Sequence, residues 1–596
     1  MKNLSKLKNK LVLLFIFIIG LCFRLYGLNW DQDQHLHPDE RMIIMVTEKI
    51  KIPDLTGIKN ISDKISILFS PDSSLNPKFF AYGSFPFYFL KIIAAAVSFL
   101  NPKYLSYDYL NLLGRGISAI FDSLTIIFIY KISQLLFSST KKSLLASLIY
   151  ALSIFPIQLS HFYAVDTLLN FFIIFTLYHS LKLYRRFNLT SAISVGFGFG
   201  LSLATKISAI ALIFSLGLSL VVSLFLTLKK QIFGLEIKFF SKIARYFKKI
   251  LHPQFWIVQK RRRLKKIVLY SSLIALVTIV TFVVCEPFSV FDFSTFWRQI
   301  NEQQAMTKDA FVFPYTLQYV NTPAYFYQLK NIFLWGFGPV FGLIAILGII
   351  FSFIKLLQGL FHSGNEKSEG GQLIIFSFFI IYFLIVGNFA VKFMRYCLPL
   401  YPIFAIFAAN FIISLPVKFS RISIPIIIVS NIFLLLMFLN IYRHPNTRIS
   451  ASDWIGQNIP AGSSLAREHW DDGLPLGYGG YHVSELALYD SDSNPEKWTT
   501  ISSQLESADY YIIASNRLYT PLQKLNDCAN LPIDKCYSTT AEFYQKLFSG
   551  RLNYTKIAEF SVYPSFLGFT VNDQSADESF TVYDHPRILI FKKNRW

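Results

Sequence analysis

Charged side chains are scarce in this chain of 596 residues. Only 16% of its residues are charged and 53% are hydrophobic, whereas a soluble protein usually contains about 25% charged residues. The apolar residues also occur in long uninterrupted runs rather than in the stripes that are typical of amphipathic helices. The composition therefore excludes a large cytosolic globular protein and predicts a membrane protein.

Cysteines, repeats and nucleotide-binding motifs are also scarce or missing. Five cysteines are too few for a disulfide scaffold, and their spacing does not fit a metal site. Cys528 and Cys536 lie in the C-terminal region and can pair if that region is extracytoplasmic. No internal repeat or low-complexity segment stands out, and no P-loop is visible. These absences exclude repeat architectures and nucleotide binding through a P-loop.

The formal net charge of +21 is concentrated in two segments. The first ten residues contain four lysines, and residues 229–266 contain 13 basic residues and one acid, together +16 of the total. No nucleic-acid recognition fold accompanies this charge, so we do not expect a nucleic-acid partner. Basic flanks beside apolar spans are instead typical of the cytoplasmic side of a membrane protein. We therefore expect the N-terminus and the basic loop 228–266 to be cytoplasmic.

Eleven apolar runs are long enough to cross a bilayer, which needs roughly 20 helical residues. An odd number of spans puts the N-terminus inside and the C-terminal region outside. The predicted spans are 11–28, 115–136, 143–163, 166–184, 191–205, 207–227, 267–286, 331–355, 372–391, 395–414 and 422–442.

Residues 84–100 form one more apolar run, which we do not count as a span. If it crossed the membrane, the basic pairs at 141–142 and 185–186 would lie outside, against the positive-inside trend. Pro86 and the aromatic residues around it suit a helix lying at the interface. We predict a juxtamembrane helix within a long first outer loop, 30–112, and a second outer loop at 287–330.

The sequence changes character at residue 446. Short alternating strands, such as 510–515 and 587–591, are mixed with helical stretches. The predicted fold is a polytopic α-helical membrane protein of about 11 transmembrane helices, residues 1–445, followed by a soluble extracytoplasmic α/β or α+β domain, residues 446–596. We expect a multi-pass protein of the cell membrane that contacts membrane lipids.

Three acidic residues lie close to the predicted outer face. Pro38 fixes the backbone where a helix begins, so Asp39 and Glu40 occupy its first turn. Asp166 opens the helix that follows the span 143–163. Acids favour helix N-termini in any protein, and a carboxylate at the membrane surface can also act as a general base. Both interpretations stay open at this point.

Four basic residues also lie at the outer ends of spans, where the positive-inside rule gives no reason for them: Lys78, Arg115, Lys206 and Arg395. Each alone is explained by snorkelling to lipid headgroups. The four together suit a shared anion, such as the phosphate of a lipid.

The ordered set of these motifs resembles the GT-C superfamily of integral-membrane glycosyltransferases, in its protein O-mannosyltransferase and aminoarabinose transferase branch. The resemblance covers about residues 30–415. Its motifs are His37-Pro-Asp-Glu40, Asn76-Pro-Lys-Phe-Phe-Ala-Tyr-Gly-Ser-Phe-Pro-Phe-Tyr88, Gly114-Arg-Gly-Ile-Ser-Ala119, Tyr163-Ala-Val-Asp166, Ala204-Thr-Lys206 and Arg395-Tyr-Cys-Leu-Pro-Leu-Tyr-Pro402.

The resemblance implies that a sugar carried on a polyprenyl phosphate is transferred, with inversion, to an acceptor hydroxyl of a protein, lipid or glycan. Asp39 or its neighbour Glu40 would be the base, and Asp166 would orient the acceptor or the sugar. Lys78, Lys206 and Arg395, with Arg115 beside them, would stabilise the charge on the leaving phosphate.

A divalent metal is possible but not required by this chemistry. If one binds, His37, Asp39 and Glu40 are the candidate ligands, with His35 nearby. The main alternative function is a polytopic transporter or flippase of lipids or sugars, which would tend to show internal duplication and broken helices with charges at mid-bilayer. A non-catalytic scaffold that displays the C-terminal domain is a third possibility, but it would not need the outer acids and cations.

Overall fold

The computed structural model describes residues 2–232, 259–361 and 366–594. Most of the predicted cytoplasmic loop 228–266 lies outside the described residues. α-Helices account for most of the first 445 residues. They are α1 Lys2–Leu25, α2 Pro38–Lys49, α3 Ile61–Phe69, α4 Phe85–Ser98, α5 Tyr107–Phe137, α6 Thr140–Ala151, α7 Ile154–Ser160, α8 Val165–Arg185, α9 Leu189–Thr205, α10 Leu212–Ile232, α11 Gln259–Cys285, α12 Phe288–Phe291, α13 Phe293–Lys308, α14 Phe326–Asn331, α15 Pro339–Phe361, α16 Glu366–Gly387, α17 Tyr401–Ser414 and α18 Val417–Leu439.

Several short helical turns extend or connect these helices. One is a π-helix, Ile332–Gly336, which leads into α15. The others are 3-10 helices: Pro102–Leu105, Ile207–Ala211, Pro314–Tyr319, Met394–Leu400, Asn440–Arg443 and Ile533–Lys535.

Every predicted span coincides with a helix or with consecutive helical segments, but not all of these are long and apolar enough to cross a membrane. Among the described residues six helices qualify by length and composition, and a seventh span is obtained if α6 and α7, bent by 56°, count as one. The six are Tyr107–Phe137, Lys265–Cys285, Pro339–Leu360, Ser368–Gly387, Met394–Ser414 and Val417–Asn458. The fifth includes the 3-10 helix that precedes α17, and the sixth continues beyond α18 through the 3-10 helix Asn440–Arg443 and the helix Thr447–Asn458. The chain is therefore a multi-pass membrane protein, while the count of eleven spans stays a prediction.

Helix α4 forms where the sequence predicts the juxtamembrane helix. Its 14 residues give a length of about 21 Å, which is shorter than a bilayer core of about 30 Å. Phe87, Leu90 and Ala94 are fully buried on one side of the helix, in a core that also contains Ile117 of α5 and Leu168 of α8. This packing ties the first outer loop to the helical body.

A buried ion pair that was not predicted from the sequence joins two of the helices. Arg24 of α1 donates from Nε to the Asp122 carboxylate of α5 at 2.6 Å, and both side chains are fully buried. Arg24 Nη1 also donates to the main-chain oxygens of Gly20 and Ala151. Because each charge has its partner inside the protein, we interpret this pair as a link between helices.

The strands of the C-terminal domain are β1 Ser464–Glu468, β2 His482–Leu486, β3 Tyr510–Ile513, β4 Tyr554–Phe560, β5 Ser565–Phe566, β6 Phe569–Thr570 and β7 Ile588–Lys593. Five of them form a mixed sheet in the order β2-β1-β3-β7-β4. Strands β1, β2 and β3 are parallel, and β7 is antiparallel to both β3 and β4. A small hairpin, β5–β6, lies apart from this sheet. The helices of this domain are α19 Thr447–Asn458, α20 Pro495–Ser507, α21 Asn516–Lys524, α22 Ser538–Phe548 and α23 Glu578–Thr581. Cys528 and Cys536 form a disulfide.

The segment after α23 joins this domain to the helical body. His585 lies between Asp573, at 2.8 Å, and Asp584, at 2.5 Å. The other Asp584 oxygen accepts hydrogen bonds from Gln158 of α7 and from Tyr442, each at 2.9 Å. These contacts place the C-terminal domain directly against α7 and the 3-10 helix Asn440–Arg443 of the helical body.

Candidate active site

The His37–Glu40 motif forms the start of α2, as the sequence predicts. His37 caps the helix, because its Nδ1 accepts a hydrogen bond from the Glu40 main-chain N–H at 3.3 Å. Burial, together with the nearby guanidinium groups of Arg395 and Arg115, lowers the pKa of His37 well below its usual value. A neutral imidazole is the form that can accept this hydrogen bond. The cap therefore fixes the orientation of the first helical turn, which carries Asp39 and Glu40.

The side chains of Asp39 and Glu40 point into different environments. Asp39 is partly accessible, with 19% of its side chain exposed, and its Oδ2 is paired with Nη1 of Arg395. Its Oδ1 accepts a hydrogen bond from the Tyr82 hydroxyl at 2.6 Å. Burial and the nearby Asp166 carboxylate raise the pKa of Tyr82 well above its usual value, so this hydroxyl keeps its proton and acts as the donor.

Glu40 is fully buried and is held by Arg115. The Arg115 guanidinium donates from Nε and Nη2 to Glu40 at 2.6 to 3.1 Å, and from Nη1 and Nη2 to Asp31 at 2.7 to 2.9 Å. Glu40 also accepts the Tyr163 main-chain N–H at 2.7 Å. None of the three charged side chains is exposed. Arg115 is therefore not free to hold a phosphate, and Glu40 is not free to take a proton from an acceptor, so we leave both out of the proposed chemistry.

Asp166 and Lys206 form a second ion pair. The Lys206 ammonium donates to Asp166 Oδ1 at 2.9 Å, with 15% of the lysine side chain and 3% of the aspartate side chain exposed. The same ammonium lies 4.7 Å from the ring centroid of Tyr396. Asp166 is in the first turn of α8, and Lys206 follows the last residue of α9.

Two connections bring the Asp39–Arg395 pair and the Asp166–Lys206 pair together. The first is the neighbouring positions of Arg395 and Tyr396 in one 3-10 helix. The second is a hydrogen bond at 3.0 Å from the Gly83 main-chain N–H to the Thr205 oxygen, next to Tyr82 and Lys206. A Cβ atom at residue 83 would overlap the Ala204 carbonyl, so only glycine allows this close approach. Two acids and two cations thus converge from four separate segments.

Lys78 lies away from this group. Its ammonium pairs with Asp72 at 3.1 Å, and 57% of its side chain is exposed. A pair this exposed contributes little to stability. The structure does not bring Lys78 into contact with any of the other predicted site residues.

The predicted metal ligands do not form a cluster. His37 caps α2, Glu40 binds Arg115 and Asp39 binds Arg395 and Tyr82, so the three side chains have separate partners. Within residues 2–232, 259–361 and 366–594, no group of three or more His, Cys, Asp or Glu side chains is arranged to hold a metal ion.

Four residues near the site were missed in the sequence. Tyr82 and Tyr396 contact the two ion pairs. Tyr583 of the C-terminal domain has its ring centroid 4.2 Å from that of His37, and the Arg517 guanidinium lies 5.6 Å from the Tyr583 ring. Arg517 also donates from Nε to Glu578 at 2.5 Å. Tyr82 belongs to the motif from Asn76 to Tyr88, but nothing in the sequence distinguishes it from the other aromatic residues of that motif.

Part of the chain matches a known protein family. Residues 112–244 match the family described as dolichyl-phosphate-mannose-protein mannosyltransferase. Three of the quoted motifs, at 114–119, 163–166 and 204–206, lie within this match. The match confirms the resemblance to the protein O-mannosyltransferase branch. No curated protein sequence matches the chain.

Solved structures of similar proteins include two with long coverage. One is the oligosaccharyltransferase of the archaeon Archaeoglobus fulgidus, in complex with an inhibitory peptide and a dolichol-phosphate. It is 14% identical with a TM-score of 0.47, over 99% of this chain and 89% of that one. The other is ArnT from Cupriavidus metallidurans bound to undecaprenyl phosphate. It is 11% identical with a TM-score of 0.45, over 97% of each chain.

Proposed function

We propose that this chain, which carries the mannosyltransferase-family match in its helical body, is a membrane glycosyltransferase that uses a lipid-linked donor. It transfers a sugar from a polyprenyl phosphate to an acceptor hydroxyl at the outer face of the membrane, with inversion. The observation that carries the proposal is the convergence of the Asp39–Arg395 and Asp166–Lys206 pairs at one partly accessible place. The acceptor belongs to a protein, a lipid or a glycan.

Asp39 is the proposed general base. Its pairing with Arg395 favours the ionised carboxylate, which is the form that takes a proton. The hydrogen bond from Tyr82 to Oδ1 fixes the orientation of the carboxylate. When Arg395 engages a donor phosphate instead, Oδ2 becomes free to accept the proton of the acceptor hydroxyl. Proton transfer of this kind typically contributes a factor of about 10² to 10⁴ to the rate.

Arg395 and Lys206 are the proposed partners of the donor phosphate. In the transfer step the acceptor oxygen bonds to the anomeric carbon, and the bond from that carbon to the phosphate oxygen breaks. The acceptor proton goes to Asp39, and the polyprenyl phosphate leaves with the bonding electrons. Fixed cations stabilise the charge that develops on the leaving group. Attack opposite the leaving group inverts the anomeric configuration, and the step requires no nucleotide.

Asp166 is proposed to hold Lys206 in place and to orient the bound sugar. Its side chain is almost completely buried, and its one described hydrogen-bond donor is Lys206. The orientation of the chain, with a cytoplasmic N-terminus and an extracytoplasmic C-terminal domain, is part of the same proposal. The alternative of a transporter or flippase gains no support from the comparisons.

Sugar transfer by the purified protein tests the proposal. The full chain in detergent is incubated with a panel of polyprenyl-phosphate sugars, and release of the polyprenyl phosphate is measured. Asp39→Asn is expected to lose transfer by at least about 10²-fold while remaining folded. Asp72→Asn is a matched control, because Asp72 is an exposed acid of the same outer loop. Full activity of Asp39→Asn would refute the assigned base. Flipping of the lipid without bond cleavage, measured with the protein reconstituted in liposomes, would favour the transporter.

A further inference from the structure

An apolar groove lies beside the juxtamembrane helix α4. It has a volume of about 570 Å³, within the range of pockets that bind small ligands. It is lined by residues of α4 together with Leu75 and the residues around Cys285. The other side chains that close it are mostly aromatic or aliphatic, among them Phe69, Phe85, Phe89, Ile92 and Val284.

Two lysines, Lys51 and Lys91, are the charged residues that line this groove. Lys91 donates from Nζ to the main-chain oxygen of Glu48 at 3.2 Å. Burial and the neighbouring Lys51 lower the pKa of Lys91, and the Glu48 carboxylate opposes them. That carboxylate accepts the main-chain N–H of Tyr107. Among the described residues neither lysine forms an ion pair with a carboxylate, so the groove presents two like charges, with the Glu48 carboxylate near Lys91 but not paired with it.

The position of the groove along the chain fixes its level in the membrane. Val284 and Cys285 are the last two residues of the candidate span Lys265–Cys285. The end of a span lies at the boundary between the hydrocarbon core and the headgroups. At this level a lysine stem lies along apolar surface while its ammonium reaches the phosphate groups of lipids. The apolar walls and the two ammonium groups thus match the two halves of an anionic lipid.

A buried hydrogen-bonded contact between Ser84 and Glu286 lies between the groove and the candidate active site. The Ser84 hydroxyl and main-chain N–H both donate to the carboxylate of Glu286, and both residues are fully buried. On one side of this contact Tyr82 donates to Asp39 and the Gly83 N–H donates to the Thr205 oxygen, next to Lys206. On the other side Phe85 lines the groove. The cations of the active site, Lys206 and Arg395, do not line the groove. It is therefore distinct from the proposed donor site.

We propose that this groove binds one anionic glycerophospholipid of the bilayer, with an acyl chain against α4 and the lipid phosphate between Lys51 and Lys91. The bound lipid holds α4 against the helical body. Through the Ser84–Glu286 contact it also steadies the segment that carries Tyr82. The proposal concerns a lipid that is not consumed, so it does not depend on which sugar the protein transfers.

Native mass spectrometry of the full-length protein in detergent tests the binding. Phosphatidylglycerol and phosphatidylcholine with identical acyl chains are titrated separately, and we expect one phosphatidylglycerol to be retained in preference. Each lysine near an anionic lipid contributes about a fivefold factor, so Lys51→Gln with Lys91→Gln is expected to weaken the binding about 30-fold. The matched control replaces Lys59 and Lys64, which belong to the same outer loop but do not line the groove.

A second variant tests the apolar part of the site without changing charge. Ala95 lines the groove, so Ala95→Trp would fill the space of the acyl chain and is expected to abolish retention with both lysines in place. Equal retention of the two lipids, or unchanged retention in both variants, would overturn the proposal. Retention of added undecaprenyl phosphate in place of phosphatidylglycerol, sensitive to the same variants, would overturn it as well and would assign the groove to the donor lipid.

Discussion

The buried network around Arg115 supports a prediction that separates residues shaping the site from residues acting in it. Arg115 makes five N–H···O contacts of 2.6 to 3.1 Å with two carboxylates, those of Asp31 and Glu40. Its guanidinium also lies 4.9 Å from the Trp30 ring. Replacement by lysine keeps the charge but removes the planar fork that reaches both acids. Replacement by methionine leaves both carboxylates buried without a cation.

The expected loss of stability follows from the free-energy cost of leaving a charge unpaired inside a protein. Removing one partner of a buried pair destabilises a protein by about 3 to 5 kcal/mol. We expect Arg115→Met to lie at the upper end of this range, because two carboxylates lose their partner. Arg115→Lys is expected near the lower end, since an ammonium can still pair with one of them. Both losses act on the folded state, since none of these side chains is exposed.

Thermal unfolding of the purified protein, combined with transfer activity per folded molecule, measures the effect. Both Arg115 variants should unfold at lower temperature, and the molecules that stay folded should keep their KM for the lipid donor. Arg395→Lys is the matched comparison, because Arg395 is partly exposed beside Asp39. It should remain folded and lose transfer by about 10² to 10³-fold. A stable Arg115→Met protein with a raised KM for the donor would refute this division of roles and return Arg115 to the phosphate site.

Three further predictions address the rest of the molecule. Asp166→Asn should raise the KM for the donor and lower transfer, because Lys206 loses the carboxylate that holds it at 2.9 Å; an unchanged KM would contradict this role. Burial lowers the pKa of His585, but Asp584 and Asp573 together raise it to about 10. The stabilising contribution of its charge is therefore complete below about pH 6.5 and is lost as the pH rises toward 10. Limited proteolysis should detect weaker docking of the C-terminal domain over that interval, and His585→Gln should remove the dependence. In intact cells, a cysteine introduced near residue 495 should react with a membrane-impermeant reagent and one near residue 250 should not; the reverse pattern would overturn the predicted orientation.

Local sequence signals predicted much of the fold. The helix predicted within 84–100 is present at Phe85–Ser98. The basic pairs at 141–142 and 185–186 had argued against a membrane span there, and the proline and aromatic residues had favoured an interface helix. The strands predicted at 510–515 and 587–591 appear as β3 and β7. Alternation and turn residues are local properties, so a single sequence carries them. The number of spans is harder, because several helical segments are short or bent.

Pairing between distant residues could not be predicted in the same way. Arg115 and Asp31 are 84 positions apart, and Arg115 and Glu40 are 75 apart. From sequence, Arg115 appeared equivalent to Arg395, since both are cations at the predicted outer ends of spans. Packing distinguishes them: one is enclosed by two acids and the Trp30 ring, and the other reaches an accessible carboxylate.

The same contrast explains why two adjacent acids have different roles. Asp39 and Glu40 are consecutive residues in the first turn of α2, so their side chains diverge by about 100° around the helix axis. Glu40 points into the body of the protein, where Arg115 and the Tyr163 N–H hold it. That anchor, together with the His37 cap, fixes the rotation of α2 about its axis. Asp39 is thereby directed toward Arg395 and Tyr82. The buried acid sets the direction of the accessible one, so Glu40→Gln should lower transfer only through loss of the fold or of this orientation.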